Sequence, residues 1–251
     1  MKDVYQAVMY AGSRRPAFVT GETYHVYNRG VEQRQLYLTD DDYLRFIHDL
    51  YEFNDINRTP ACAYRLRRDA VNNSDVGHPN YPNRPKREAL VDILVFCVMP
   101  NHFHLMLRQL VDGGITKFMQ KLGTGYANYF NTKFKRTGAL FQGKFKAKLL
   151  TRESHFLYLP QYIHFNALDL CGEKWREGKV RNVDAAIKFL AKYRWSSYPD
   201  YIGIKNYPSV TRRGLILDTF GGVEGYKVSV HNLLRDKAWE RDDGICIDHE
   251  A

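Results

Sequence analysis

Two histidines one residue apart, His102 and His104, lie in the run HFHLMLR (His102 to Arg108). On a strand, side chains at i and i+2 leave the same face. Two imidazoles so placed can grip one divalent cation while Phe103 points into the core. The same spacing also fits two unrelated histidines on a sheet face. Further along, Gln161 to Asn166 reads QYIHFN. Tyr162 and Asn166 are i and i+4, so on a helix they share a face. A tyrosine hydroxyl is a poor nucleophile at its free pKa of about 10. A cation on a phosphate would neutralise oxygen charge and orient the phosphorus for in-line attack, and Asn166 could reach that cation through its amide oxygen. Seen alone, the pair also fits a packed tyrosine and an asparagine near a helix end. Tyr126 and Tyr129 are rival nucleophiles, but no amide follows either by four residues, and their spacing with Phe130 and Phe134 suits core packing. His164 points to the opposite helix face from Tyr162 and reads as a packing or surface residue.

These side chains need strands and helices to position them. Thr23 to Tyr27 alternates like a strand, and Asn28-Arg29-Gly30 ends it with turn chemistry. Thr39 followed by three aspartates is a helix start, with Tyr43, Phe46, Ile47 and Leu50 repeating at helical spacing. From about Asn54 to Arg87 the pattern gives way to breakers, which reads as a long basic insertion. Leu90 to Met99 is a buried strand, and Pro100-Asn101 turns it into His102 to Arg108 as a hairpin. Ile115 to Phe134 has helical spacing that Gly123 and Gly125 should weaken midway. Phe141 to Leu150 alternates lysines with apolar residues as a half-buried strand. Thr151 should cap a helix running to about Leu168, with Pro160 kinking or restarting it. Val183 to Lys192 is a further helix, and the rest gives only weak, short signals.

The 251 residues carry a formal net charge of +9, with 18 tyrosines and 14 phenylalanines. Basic charge interleaved with aromatics suits single-stranded nucleic acid, where bases stack and phosphates pair. An ordinary basic protein with solvated lysines has the same charge. The four cysteines are widely spaced, which argues against a disulfide framework or a cysteine zinc site and fits a reducing cytosol. Neither a secretory signal nor an apolar run of membrane-spanning length is evident. Lys144, Lys146 and Lys148 should share one strand face, as a phosphate track or as a solvated sheet edge. Arg29, Arg34, Lys133, Lys135 and Arg136 are weaker candidates of the same kind. Trp195 reads as a core anchor.

Several ordered segments together resemble the Y1 HUH transposases (IS200-like), and within them the REP-associated tyrosine transposases. YHVYNRG (Tyr24 to Gly30) is similar to that family's first strand, and CVMPNHFHLML (Cys97 to Leu107) to its metal strand. LGTGYANYFNTKFKRTGALFQGKFKA (Leu122 to Ala147) is similar to its middle helix and following strand, and YIHFN (Tyr162 to Asn166) to its nucleophile helix. YRWSSYPDY (Tyr193 to Tyr201) resembles a segment that often follows. The resemblance implies that His102 and His104 bind Mg²⁺ or Mn²⁺, with Asn166 completing the site. It implies that Tyr162 attacks single-stranded DNA to form a 5′-phosphotyrosine and a free 3′-OH, on DNA that folds into hairpins. Two positions depart from the pattern: Ala167 stands where the family usually has proline, and Pro160 sits close to Tyr162.

The expected fold is α+β, a ferredoxin-like antiparallel sheet with helices packed on one face and a C-terminal helical extension. Residues 1–170 would form the catalytic domain and 171–251 the extension packed on it. The expected function is hairpin-DNA cleavage and rejoining by a cytoplasmic, nucleoid-associated monomer or homodimer. The alternatives are a domesticated DNA- or RNA-binding protein on the same fold without cleavage, and a metal-dependent hydrolase using water.

Overall fold

The structure is a computed structural model that describes residues 17–57 and 86–236. Four strands, β1 (Thr23–Arg29), β2 (Val91–Met99), β3 (His102–Gln109) and β4 (Lys146–Leu149), form one antiparallel sheet in the order β2-β3-β1-β4. Helix α1 (Asp40–Glu52) joins β1 to β2, and α2 (Gly114–Lys133) joins β3 to β4. This βαββαβ order, with β3 between the two strands that α1 connects, is the ferredoxin-like arrangement expected from the sequence.

Strand alternation divides the sheet into two chemically different faces. Tyr24 and Val26 of β1 and Phe103, Leu105 and Leu107 of β3 enter one core with Phe46, Ile47 and Leu50 of α1 and Ile115, Phe118 and Leu122 of α2. The opposite face carries His25, Tyr27, His102 and His104. A register shift between Ile93 and Val95 puts both Leu94 and Val95 on that second face, where they meet Ile163, Phe165 and Trp175. Helices α1 and α2 pack on one face as expected, while the other is covered by α3 (Glu153–Phe165) and the C-terminal extension.

Helix α1 begins with the expected cap. Thr39 and Asp42 form a capping box, and Asp42 also accepts from the Leu38 amide at 2.9 Å. Helix α2 runs unbroken through its glycines. The reason for one is steric: a Cβ on Gly125 would lie 2.4 Å from the Phe53 ring, so glycine lets the end of α1 pack against α2. The predicted strand over Phe141 to Leu150 shrinks to Lys146–Leu149. Gly143, at φ 145, turns the chain before it, and Phe141 makes only an isolated bridge to Gly30. Helix α3 is entered at Arg152 rather than Thr151, with no side-chain cap bond, and continues through the buried Pro160 to Phe165. The chain then tightens into a 3-10 turn over Asn166–Cys171.

Of the expected insertion, residues 58–85 lie outside the described residues. Its two ends are pinned together. Asn54 Nδ2 donates to the Val91 carbonyl at 2.8 Å, its Oδ1 accepts from the Leu90 and Val91 amides at 3.0 Å, and the Arg87 guanidinium stacks 3.7 Å above Tyr51. The end of α1 and the start of β2 are therefore held side by side.

In the extension, α4 (Val183–Lys192) matches its expected bounds and is followed by α5 (Tyr198–Tyr201), α6 (Gly214–Thr219) and α7 (Gly222–Asp236). The sequence suggested only short pieces here. The buried Tyr226, Val230 and Leu234 of α7 do repeat at i, i+4 and i+8, but Gly222 and Gly225 mask the stripe. The extension is tied to the edge strand β2: the Val98 amide donates to the Trp195 carbonyl, and the Ser197 amide to the Phe96 carbonyl. Trp195 is a core anchor as expected, stacked on Tyr43 at 4.6 Å.

Candidate active site

The hairpin between β2 and β3 starts β3 at His102, so strand alternation sends His102 and His104 to the face beneath α3. Their ring centroids are 5.0 Å apart. Tyr162, on the buried side of α3, lies edge-on to His104 at 6.2 Å. The sequence-predicted histidine pair and tyrosine thus come together from separate elements, and Asn166 ends the same helix.

A third histidine, His25 of β1, completes the cluster. Its Nε2 lies 3.0 Å from His104 Nδ1, and its ring is 5.2 Å from that of His104 and 6.2 Å from that of Tyr162. Sequence reasoning missed it, although His25 and Tyr27 at i and i+2 on the first strand carried the same face signal as His102 and His104. His104 Nε2 is buried and has no hydrogen-bond partner among the described residues, while His102 Nδ1 contacts Asn101 Oδ1 at 2.7 Å.

The pKa shifts of both histidines favour neutral imidazoles. Burial first, then the nearby His102, His25 and Arg176, holds His104 well below the ordinary histidine pKa. Burial also takes His102 down to about 4, with Arg176 and Arg29 adding to it and Asp169 opposing. Metal ligation uses the neutral ring, so this histidine pair fits a divalent cation. The orphaned His104 Nε2 is the atom that such a cation would satisfy. Asn166 is committed differently: its Nδ2 donates to the Tyr162 carbonyl at 2.8 Å, and its Oδ1 accepts from Arg176 Nη2 at 2.7 Å. Its amide oxygen keeps one lone pair. No cluster of three or more His, Cys, Asp or Glu residues suited to a metal occurs among the described residues.

Arg176 was not anticipated either. It sits in the 3-10 turn Trp175–Glu177 and forms an ion pair with Asp169. Burial works against its charge, yet hydrogen bonding and charge from Asp169, then from Tyr162, raise its pKa above the ordinary arginine value. Nothing in its local sequence marked it, since the contact depends on how the extension folds back.

Beside His102 lies a cavity of about 300 Å³ lined by Tyr27, Asn28, Arg29, Gln142, Lys144 and Lys146. Three of the expected phosphate-binding residues, Arg29, Lys144 and Lys146, therefore meet at the edge of the histidine cluster. Arg29 hydrogen-bonds Gln142. Lys148 lies opposite His25 in the β1–β4 pairing, so it and Lys146 share the histidine face. Lys144 precedes the strand but still reaches this cavity. Lys133 and Arg136 are elsewhere. Lys133 pairs with Asp42 at 2.6 Å across α1 and α2, and Arg136 closes its own turn onto Asn131 and the Ala139 carbonyl. Arg34 follows the turn Val31–Gln33, with Nη1 buried and without a partner among the described residues.

The rival tyrosines are structural. Tyr126 donates to the Leu36 carbonyl at 2.7 Å inside the first core, and Tyr129 bonds Asp42 at 2.9 Å. His164 is buried, as a packing residue: its two ring nitrogens contact Tyr226 and Ser197 hydroxyls at 2.8 Å each.

No curated protein sequence matches this chain. A solved structure described as "Structure of the REP associates tyrosine transposase bound to a REP hairpin" is similar at 14% identity and a TM-score of 0.45, covering 79% of this chain and 90% of that one. Residues 79–166 match the family described as "Transposase IS200 like". That segment holds β2, the histidine pair on β3, α2, β4 and α3 through Asn166, and it is there that the chain carries the likeness to the IS200-like transposases.

Proposed function

We propose that this chain cleaves and rejoins single-stranded, hairpin-forming DNA by transesterification, with Tyr162 as the nucleophile. The observation that carries the proposal is the meeting of Tyr162 with the His102–His104 pair, whose buried His104 Nε2 lacks a partner among the described residues. A likeness to IS200-like transposases over residues 79–166 points to the same chemistry.

In the proposed reaction, the Tyr162 oxygen forms a bond to phosphorus and the phosphorus–O3′ bond breaks. The phenol proton ends on the departing 3′ oxygen, giving a 5′-phosphotyrosine and a free 3′-OH. Attack by a 3′-OH on the phosphotyrosine reverses these bond changes and joins strands, so no energy source is needed. A divalent cation, Mg²⁺ or Mn²⁺, held by His102 and His104, with Asn166 as a third ligand, would supply charge neutralisation at the phosphate. Lys144, Lys146 and Arg29 would hold the flanking backbone in the cavity beside His102. Base pairing would keep the scissile phosphate away from a tyrosine on a helix, so the strand must be unpaired at the cleaved step.

The test is incubation with hairpin-forming single-stranded DNA and Mg²⁺ or Mn²⁺, followed by a denaturing gel. A covalent protein–DNA band that requires the metal is expected. A protein that binds the hairpin yet gives no such band with either metal would be a binding protein on this fold. Cleavage without a covalent band would point instead to a hydrolase using water.

A further inference from the structure

Arg176 comes from the extension, ten residues past Asn166 and beyond the segment that matches the transposase family. Its five N–H donors lie in one plane. Nη1 donates to both Asp169 carboxylate oxygens at 2.6 Å, and Nη2 donates to Asn166 Oδ1 at 2.7 Å. It also hydrogen-bonds the Tyr162 hydroxyl, and its guanidinium carbon lies 5.8 Å from the Tyr162 ring centroid and 4.2 Å from that of Trp175. Asp169 is held in turn by the Trp175 indole N–H at 2.7 Å. One rigid group thus joins both side chains of the tyrosine–asparagine motif and is clamped from behind by a carboxylate and an indole.

We infer that Arg176 is a positioning residue for strand cleavage: it fixes the Tyr162 oxygen relative to the Asn166 amide oxygen before DNA arrives. This rests on Tyr162 being the nucleophile. A phenol oxygen swings with rotation of its side chain about the Cα–Cβ bond, and in-line attack tolerates little displacement; a misplacement of one ångström can cost on the order of 100-fold in rate. The planar fork of arginine sets the distance between its acceptors. A lysine ammonium is a point charge on a flexible stem and cannot hold two acceptors and a carboxylate in that geometry. With both of its terminal nitrogens already engaged by the protein, Arg176 acts through Tyr162 and Asn166 rather than as the main phosphate ligand. The fold back of Asn166–Cys171 and Trp175–Glu177 is then part of the cleavage machinery.

The experiment is single-turnover adduct formation on a hairpin oligonucleotide with Mn²⁺, using the full chain as wild type, Arg176→Ala, Arg176→Lys and Asp169→Asn. Melting temperatures are measured alongside. Arg176→Ala should lower the rate constant by about 100-fold and leave the DNA concentration for half-maximal rate within about threefold. Arg176→Lys should recover little of that loss, and Asp169→Asn should fall between. Free guanidinium ion at millimolar concentration should restore part of the Arg176→Ala rate, whereas ethylammonium should not. A merely structural arginine would not show that selectivity. Should Arg176→Ala unfold, Arg176→Lys carries the test, and a wild-type rate in it overturns the inference. So does an Arg176→Ala rate within threefold of wild type, or a loss that appears wholly as weaker DNA binding. A wild type that forms no adduct with either metal refutes the nucleophile assignment itself, and this inference falls with it.

Discussion

Replacing His25 with phenylalanine probes how the histidine face, the proposed cation site, is organised. The phenyl ring introduced by His25→Phe can keep the stacking that His25 makes with Tyr27 at 5.0 Å and His104 at 5.2 Å, so packing changes little. What is lost is the 3.0 Å contact between His25 Nε2 and His104 Nδ1. For His104 to offer Nε2 to a cation, its proton must sit on Nδ1, and the His25 nitrogen is the acceptor that holds it there. Without that acceptor, a buried N–H is left unpaired at a cost of about 1–3 kcal/mol, and the opposite tautomer becomes competitive. Partners of this kind are worth roughly 10- to 100-fold in metal affinity. Titration calorimetry with Mn²⁺ on the DNA-free protein should therefore show weaker binding by that factor, with a melting temperature near wild type in the absence of metal. Mn²⁺ affinity in His25→Phe within twofold of wild type would refute this account of His25.

Other consequences follow from the packing and the charge. His104 and His164 are buried and neutral, His164 with its pKa taken down to about 3 by burial; an unfolded chain takes up protons at both below the ordinary histidine pKa of about 6.5 while the native state does not. Stability is thus fully present above that pH and falls as pH drops, by about 1.4 kcal/mol per pH unit for each group, until each folded pKa is reached. Chelator-treated protein melted at pH 7.5 and 5.5 should show a clear drop, and equal stability at both would contradict the neutral assignment. Gly125→Ala places a methyl 2.4 Å from the Phe53 ring and should cost about 1–3 kcal/mol in denaturant unfolding; an unchanged midpoint would mean that α1 and α2 can slide apart freely. Removing Lys144 and Lys146 together should flatten the salt dependence of single-strand binding by about 1.4 in log–log slope, whereas removing Lys133, which is tied to Asp42, should leave it unchanged.

Much of this site was readable in the chain because local periodicity reports faces. His102 and His104 at i and i+2, and Tyr162 and Asn166 at i and i+4, needed only the right element type to be placed on common faces. The order of strands and helices then sufficed for the ferredoxin-like sheet. His25 carried the same signal but lacked a second histidine beside it to draw notice. Arg176 and Asp169 were not legible, because the contacts of Arg176 with Tyr162 and Asn166, braced by Asp169, depend on a fold back through two 3-10 turns that no repeat announces. Charge alone does not rank the DNA-contact candidates. Lys133 pairs with a buried aspartate and Arg136 closes a turn, and sequence does not separate such roles from phosphate binding.

The central claim is that Tyr162 becomes covalently joined to DNA. Trypsin should release Glu153 to Lys174 as one peptide, since no lysine or arginine lies between Arg152 and Lys174. The covalent complex formed on a hairpin oligonucleotide with Mn²⁺ can be treated with nuclease, digested and fragmented in a mass spectrometer. The account predicts a residual 5′-phosphonucleotide on Tyr162, absent from Tyr158 in the same peptide and lost entirely in Tyr162→Phe. A nucleotide found on Tyr126 or Tyr129, or an adduct that persists in Tyr162→Phe, would contradict it.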